Sequence, residues 1–416
     1  MPNVFTNRLL AGSLDRVDSK ARFTYDSSTT AQSVVSLTMP PAPNAVSLMD
    51  EPNIVHPIFA MNLPEGRLRE SLLGMFSKTI PDMDDMTLIE IVGRSQIGRL
   101  RMAPSADELD NVPSLSLNEL LKTQGTEKML DGLLARYARH SGVAGVQPKV
   151  LVRDSNSLED SPLKKSLNKV TASGTTHIVK FFEPDKYPAL AANEYACLRA
   201  AKLAGLPVPA FWLSADSQCL VVERFDLKPD GTYLAVEDCC ALAGYQPGQK
   251  YVGSYEQIAK ALFSAIAPEH IPEDLGVFFR SLVLSTVVRN GDAHRKNFSV
   301  IYSDSSDVRL SPIYDIISTT PYIPNDNLAL TLNGSKRWPS PKKLIRFGVN
   351  ICELSHAEVR DSIDQVCAAV AKAREDAHRL REEASDERSA KALTAMLAAW
   401  EDGLRCTDGR SGVCLL

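Results

Sequence analysis

The first hundred residues mix short β-like hydrophobic runs with one stretch of helical hydrophobic spacing. The runs Arg22–Tyr25 and Val34–Leu37 are short and rich in residues that favour strands. Apolar residues three or four positions apart predict a helix from Pro64 to Ser77. We therefore expect a small α/β unit, followed by the polar link Pro104–Pro113 and by helices near residues 115–139.

Two apolar runs in the middle of the chain predict buried strands. The first, Thr176–Phe182, carries one lysine, Lys180, and the second is Cys219–Asp226. Between them, Leu190–Ala200 has the spacing of a helix. Before the lysine strand, Asp154–Ser173 is rich in Ser, Asp and Lys, which predicts a mobile insertion.

The last third of the chain has mainly helical patterns. Ser355 and Glu358 have the spacing of a capping box, and an apolar stripe follows them. Residues Ala371–Arg388 are charged and rich in alanine, which is typical of a solvated helix or a hairpin arm. We expect the tail at Asp408–Gly412 to be disordered.

Composition narrows the class of protein. The 416 residues carry a net charge of −5, so we expect contact with DNA only indirectly, through a partner. The eight cysteines show no paired C-x-x-C spacing and predict reduced thiols. No apolar run reaches the roughly 18 residues that a membrane helix needs, so we expect no membrane contact and a cytoplasmic location.

The most informative stretch of the chain runs from Asn290 to Asp315. Asp292 is followed five positions later by Asn297, and Asp315 comes after a spacer of hairpin length. The spacer, Phe298–Leu310, predicts two strands joined by a turn that returns Asp315 to the side of Asn297. A kinase needs these residue types to orient an acceptor hydroxyl and to hold magnesium. A solvated turn is the plainer alternative.

Other residues needed for phosphoryl transfer lie upstream. Lys180 on a buried strand is a candidate phosphate ligand, and Glu194 on the following helix is its candidate partner. An edge-strand lysine that reaches water is the open alternative. The glycines of Ser141–Lys149 allow backbone amides to approach a phosphate, although an ordinary loop has the same composition. Backbone groups near Glu223 and Phe225 could bind adenine.

The order of these parts resembles the HipA-like serine/threonine kinases, which are toxins of bacterial toxin–antitoxin pairs. The resemblance rests on segments in the second, third and fourth quarters of the chain: Gly142–Lys149, His177–Lys180, Asn193–Tyr195, Val222–Asp226, Gly291–Ser299 and Tyr314–Ser318. Three further segments are also similar to the family: Asn62–Gly66, Ile91–Ser95 and Leu328–Lys336.

The resemblance implies an α+β, bilobal protein-kinase-like fold. It has a small α/β amino-terminal subdomain and an all-helical carboxy-terminal lobe. The chain then divides into the subdomain at residues 1–104, an N-lobe-like region at 105–230 and a mostly helical C-lobe at 231–416. It also implies ATP and Mg²⁺ as cofactors, Asp292 as the catalytic residue, and Asn297 and Asp315 as metal ligands. The implied nucleotide-binding residues are Val143, Ala144, Gly145, Lys180, Glu223, Phe225, His294 and Lys296.

The resemblance further implies what the protein acts on and binds. The family phosphorylates aminoacyl-tRNA synthetases, which stops translation and arrests growth. Its usual partner is a helix-turn-helix antitoxin, HipB-like, that represses the operon.

This chain departs from the family in its glycine-rich loop. Members often carry a serine where this chain has Gly142 or Ala144, and autophosphorylation there inactivates the kinase. Ser141 lies one residue too early. It either replaces the usual serine, leaves regulation to a partner, or only caps the turn.

Two other classes of protein share part of this pattern. A small-molecule kinase of the aminoglycoside or choline type has the same Asp-x-x-x-x-Asn and later Asp, but has no use for the segment Ile91–Arg94. A catalytically silent corepressor module would not need Asp292, Asn297 and Asp315 together.

Overall fold

A computed structural model describes residues 2–41, 46–48, 54–77, 80, 83–166, 173–323 and 325–407. The chain divides into two compact units, each built from separate stretches of sequence. The first unit comprises residues 1–181, 221–249 and 299–308, and the second comprises residues 182–220, 250–298 and 309–416. Helices and strands both contribute to the fold, as the sequence predicts.

The strands are short. They are β1 Asn3–Thr6, β2 Leu9–Val17, β3 Lys20–Tyr25, β4 Val46–Leu48, β5 Leu100–Ala103, β6 Ser114–Leu115, β7 Lys149–Asp154, β8 His177–Phe181, β9 Phe211–Leu213, β10 Cys219–Glu223, β11 Ala235–Asp238, β12 Ser299–Tyr302 and β13 Arg309–Leu310.

The helices lengthen towards the carboxyl end. They are α1 Pro57–Ala60, α2 Gly66–Phe76, α3 Asp85–Val92, α4 Leu117–Lys122, α5 Leu130–Tyr137, α6 Pro162–Ser166, α7 Leu190–Leu203, α8 Cys239–Leu242, α9 Tyr255–Ala265, α10 Ile271–Val287, α11 Pro341–Asn350, α12 His356–Glu382 and α13 Glu387–Thr407. None of these described helices is long and apolar enough to cross a membrane.

The amino-terminal sheet of the first unit has the strand order β4-β3-β2-β1-β5. Ala21 and Phe23 of β3 are buried at alternate positions, which is the pattern of a sheet with one face on the core. The predicted strand Val34–Leu37 is wrong. The Ser36 hydroxyl instead donates to the buried carboxylate of Glu237, and an isolated bridge joins Ser36 to Met39.

A second sheet of the first unit places β6, β7, β8 and β10 side by side in that order. Strands β7 and β8 are antiparallel, and their register sets Lys149 directly opposite Lys180. The predicted buried strand around Lys180 is therefore present. The insertion predicted before it contains α6, and residues 167–172 lie outside the described residues.

The prediction of an all-helical carboxy-terminal lobe is wrong, because β11 and β12 lie within residues 231–416 and pair with each other. Both strands belong to the first unit. Their pairing is stabilised by Glu237, which accepts hydrogen bonds from the Tyr302 hydroxyl, from the Ser36 hydroxyl and from the Leu37 N–H. A buried carboxylate needs such hydrogen-bond donors, and the pairing of β11 with β12 brings Glu237 and Tyr302 together.

The second unit packs its long helices around buried aromatic and small residues. Trp400 of α13 is fully buried, and Gly403 lies so close to the backbone of Val287 that a Cβ would be 1.9 Å from its carbonyl oxygen. The capping box of Ser355 and Glu358 is confirmed at the start of α12. Ala373 of the charged stretch is buried, so one side of this stretch packs into the protein. Helices α12 and α13, which contain most of the stretch, contact each other. The predicted disordered tail lies outside the described residues.

Candidate active site

The loop after α10 holds the candidate catalytic carboxylate in the second unit. The buried Asn290 accepts the Asp292 N–H at 3.0 Å through its side-chain oxygen, which fixes the turn that carries Asp292. The Asp292 side chain is half-buried, and its Oδ1 accepts a hydrogen bond of 2.6 Å from the Tyr251 hydroxyl. Sequence patterns did not reveal Tyr251, which lies 41 residues before Asp292.

Gly291 is required by what lies against it. A Cβ at this position would be 2.1 Å from Oδ2 of Asp326 and 2.6 Å from the carbonyl oxygen of Asn327. The Gly291 N–H donates to the Thr319 hydroxyl at 2.7 Å, and that hydroxyl also contacts the Asp326 carboxylate. The segment around Asp326 therefore packs directly on the loop that carries Asp292.

Asn297 and Asp315 are adjacent, as predicted from the hairpin-length spacer. The Asn297 Nδ2 donates to the Asp315 carbonyl oxygen at 3.2 Å, and the Tyr314 hydroxyl donates to the Lys296 carbonyl at 2.8 Å. Asp315 has a left-handed backbone with φ of +58°, which an Asp tolerates better than most residues. These two hydrogen bonds hold Asp315 beside the end of the loop that carries Asp292.

The segment after Asp315 is held by the helix α7. Asn193 is buried, and its Oδ1 accepts the Ser318 N–H at 2.8 Å while its Nδ2 donates to the Ser318 carbonyl at 2.9 Å. The Tyr322 hydroxyl contacts the same amide at 3.4 Å. This second-unit contact was missed because the partners lie 125 residues apart.

The electrostatics of the loop favour a neutral histidine and an acid that titrates close to physiological pH. Burial raises the pKa of Asp292 to about 6; the Tyr251 hydroxyl lowers this pKa, and the charge of Asp315 raises it. Burial lowers the pKa of His294 to about 4, and the nearby Lys250 lowers it further. His294 and Lys296 are both buried within the loop.

The residues at this site fit a hard divalent cation. The Nδ2 of Asn297 donates to the backbone carbonyl of Asp315, so its Oδ1 is the end of the amide that would meet a cation. The charge of Asp315 also raises the pKa of Asp292, a repulsion that a cation would relieve. In the described part of the chain, no group of three His, Cys, Asp or Glu side chains could hold a metal.

The glycine-rich loop belongs to the first unit, and Ser141 at its start is fully buried. The Ser141 hydroxyl donates to the Tyr137 carbonyl and accepts the Leu151 N–H, both at 2.8 Å. These contacts match the role of a turn cap. The residues after it emerge gradually: Val143 is buried, Ala144 and Gly145 are half-buried, and Val146 is exposed.

Two buried lysines of the first unit lie close to that loop. Lys149 and Lys180 are directly opposite on β7 and β8, so their side chains leave the same face of the sheet. A Cβ on Gly145, whose φ is +118°, would be 2.4 Å from Nζ of Lys149. Lys149 therefore lies on the same face of the sheet as Lys180, the candidate phosphate ligand. Glu194 belongs to the other unit, so its pairing with Lys180 stays a prediction.

The candidate adenine hinge follows β10. The buried Glu223 side chain accepts hydrogen bonds from the Ser161 hydroxyl and the Leu163 N–H, so it is structural. The Arg224 N–H donates to the Thr176 carbonyl at 2.9 Å. The carbonyl of Glu223 belongs to the same planar peptide as that N–H and therefore points away from β8. Phe225 itself is half-buried.

Two family models match the chain. The HipA N-terminal domain matches residues 2–103, and the HipA-like C-terminal domain matches residues 141–374. The protein Y4dM of Sinorhizobium fredii, which is named as a candidate kinase, is 30% identical over 308 residues, covering 70% of this chain and 69% of that protein. The serine/threonine-protein kinase toxin HipA of Shewanella oneidensis is 26% identical over 293 residues, covering 64% of this chain and 63% of that protein.

A solved structure gives a likeness over nearly the whole chain. It is the complex of HipA, HipB and operator DNA from Shewanella oneidensis MR-1, in which the matching chain has a TM-score of 0.70 at 20% identity. The match covers 99% of this chain and 100% of the other, which shows a shared fold. Because the C-terminal family model alone spans more than half of the 416 residues, the protein belongs to the HipA family.

Proposed function

We propose that the protein is an ATP-dependent serine/threonine protein kinase that acts as a growth-arresting toxin. The observation that carries this proposal is the arrangement of Asp292, Asn297 and Asp315 in one unit. Asn297 is bonded to the backbone of Asp315, and the charge of Asp315 affects the pKa of Asp292. The named activities of the relatives support the same class of reaction.

In this proposal each acidic or amide side chain has a separate task. Asp292 orients the acceptor hydroxyl and accepts its proton, which its raised pKa favours near neutral pH. Asn297 and Asp315 hold Mg²⁺ through their side-chain oxygens. When bound, Mg²⁺ and ATP supply the phosphoryl group and the counter-charge for its transfer.

The first unit supplies the proposed nucleotide contacts. Lys149 and Lys180, which lie opposite each other on β7 and β8, pair with phosphate oxygens through charge-assisted hydrogen bonds. Backbone amides at Val143–Gly145 approach the same phosphates, and the backbone at Glu223 and Phe225 binds adenine. His294 and Lys296, within the proposed catalytic loop of the second unit, are further proposed cofactor-binding residues.

We propose an aminoacyl-tRNA synthetase as the protein substrate and a helix-turn-helix antitoxin, HipB-like, as the partner. The family membership and the likeness to a chain solved with HipB and operator DNA support the partner. The net charge of −5 favours contact with DNA through that partner. The substrate rests on the family resemblance, and synthetases place the reaction in the cytoplasm.

Phosphate transfer in a bacterial lysate tests this proposal. The purified chain, γ-labelled ATP and Mg²⁺ should label a synthetase, and Asp292→Asn should abolish the label while leaving ATP affinity within about twofold. Asp364→Asn, an exposed substitution of the same type on α12, is the matched control and should behave like the wild type.

The other classes predict different products. A labelled metabolite with no labelled protein would identify a small-molecule kinase, and absence of any transfer by folded wild type would identify a silent module. Overproduction tests the toxin role separately: wild type should arrest growth, and arrest by Asp292→Asn protein would overturn a toxin role that works through phosphorylation.

A further inference from the structure

Tyr251 contacts the candidate catalytic carboxylate from a part of the second unit that no motif covers. Its hydroxyl donates to Oδ1 of Asp292 at 2.6 Å, and its ring meets His294 edge to face with centroids 5.1 Å apart. The side chain is 45% exposed, so Tyr251 is not a core residue whose contact with Asp292 follows from packing alone. An exposed tyrosine is normally free to turn into water, and this one is directed inward.

The backbone on both sides of Tyr251 is fixed by one buried arginine of the catalytic loop. The Arg295 N–H donates to the Lys250 carbonyl at 3.2 Å, and its Nε donates to the Val252 carbonyl at 2.6 Å. Its Nη2 donates to Oε1 of Gln257 at 2.5 Å, which anchors the guanidinium on α9. Arg295 thus couples the position of Tyr251 to the loop that carries Asp292.

Gly253 leaves the room that this anchoring requires. Its φ is +99°, and a Cβ there would be 2.1 Å from Oε1 of Gln257 and 2.3 Å from Nη2 of Arg295. The segment from Lys250 to Gly253 is therefore built around Arg295 and is not a loosely held surface loop. Because the segment is fixed, Tyr251 is suited to hold Asp292 throughout the reaction. A residue that only blocks the site would have to move away before substrate binds.

The Asp292 carboxylate has two oxygens with different surroundings. Oδ1 is taken by Tyr251, and among residues of the described ranges none donates a hydrogen bond to Oδ2. We propose that Tyr251 is a positioning residue of the acceptor site, which holds Asp292 through Oδ1 and presents Oδ2 to the hydroxyl of the protein substrate. This inference rests on the proposed kinase function and adds to it the residue that orients the base.

Removal of one hydroxyl group tests the inference. Tyr251→Phe should lower kcat for transfer from γ-labelled ATP to lysate protein by about tenfold, a part of the roughly 10²–10⁴-fold that a positioned base contributes. The KM for ATP should stay within about twofold, since the tyrosine contacts the base and not the nucleotide. Tyr245→Phe, six residues earlier in the chain, removes a hydroxyl that makes no hydrogen bond to Asp292 and should leave both constants unchanged.

A second measurement does not depend on transfer. Carboxyl-carbon NMR of Asp292 should show its titration at higher pH in Tyr251→Phe than in the wild type. The variant loses a donor that favours the ionised form, while Asp315, Asp326 and Lys250 still act on the group. Unchanged titration would overturn the contact itself.

The outcomes separate this inference from the proposed function. Wild-type kcat in Tyr251→Phe, or equal losses in kcat and ATP affinity, would overturn the positioning role while kinase activity stands. A shifted titration in a chain that transfers no phosphate would support the Tyr251–Asp292 contact and overturn the kinase. Phosphate found on Tyr251 itself would show that the tyrosine is an acceptor and would also overturn the positioning role.

Discussion

Asn193 holds the backbone of Ser318 by two hydrogen bonds, one to its N–H at 2.8 Å and one from Nδ2 to its carbonyl at 2.9 Å. Ser318 lies three residues after Asp315, whose own backbone is left-handed. This pair of hydrogen bonds, which we call the Asn193 bracket, is fully buried and links α7 to the segment that carries Asp315, the candidate metal ligand. It gives that ligand a second support besides Asn297.

Asn193→Ala should therefore weaken metal binding. Two buried backbone groups lose their partner, at a cost of about 1–3 kcal/mol, and the segment after Asp315 is freed to shift. Electron paramagnetic resonance of Mn²⁺ with ATP present should show at least about a fivefold weaker affinity. Asn350→Ala, at the exposed end of α11, is the control, and Mn²⁺ binding by Asn193→Ala equal to that of this control would contradict the role of the bracket.

The raised pKa of Asp292 predicts an acid limb in the rate profile. A base works only when ionised, so kcat/KM should fall about tenfold per pH unit below pH 6 and level off above it. His294 does not account for this limb because burial lowers its pKa to about 4. In kcat the limb should lie at lower pH, since a bound cation favours the carboxylate form. Steady-state rate measurements from pH 4.5 to 8 check both profiles. A kcat/KM that does not change with pH over this range would exclude Asp292 as the base.

The opposed lysines predict a nucleotide affinity that depends on both residues. Lys149→Ala and Lys180→Ala should each raise the Kd for ATP by about tenfold or more, because each removes a charge-assisted contact of about 1.5–3 kcal/mol. Lys122→Ala, an exposed lysine of α4, is the control and should leave the Kd unchanged. Titration with a fluorescent nucleotide measures the Kd of all three variants. A wild-type Kd in Lys149→Ala would show that Lys149 has a structural role only.

Local patterns in the sequence were enough for several elements and for the closeness of Asn297 to Asp315. The lysine strand, the helix of Asn193 and the return of Asp315 to Asn297 each depend on short-range periodicity or on one hairpin-length spacer. Their roles in metal and nucleotide binding stay predictions. The all-helical lobe was wrong because β11 is four residues long and gains its stability from β12 and Glu237, which a local pattern does not encode.

Long-range contacts account for what the sequence did not reveal. Tyr251 reaches Asp292 across 41 residues, and Asn193 reaches Ser318 across 125. Lys149 was visible only as part of a glycine-rich motif, since its place opposite Lys180 follows from the register of β7 and β8. Register is decided by the tertiary packing of a whole sheet, so single-sequence patterns do not specify it.

Gly291 gives the sharpest steric test of the loop geometry. Gly291→Ala places a Cβ 2.1 Å from Oδ2 of Asp326 and 2.6 Å from the Asn327 carbonyl, so either the loop or the Asp326 segment must move. The displacement falls next to Asp292, so transfer should drop by about 10²-fold, as expected for a misplacement near 1 Å, while ATP affinity stays near normal. Gly74→Ala on α2, where a Cβ meets nothing within 4 Å, is the matched control and should keep full activity. Full activity in Gly291→Ala would mean that the segment of Asp326 does not pack on the loop as the structure has it.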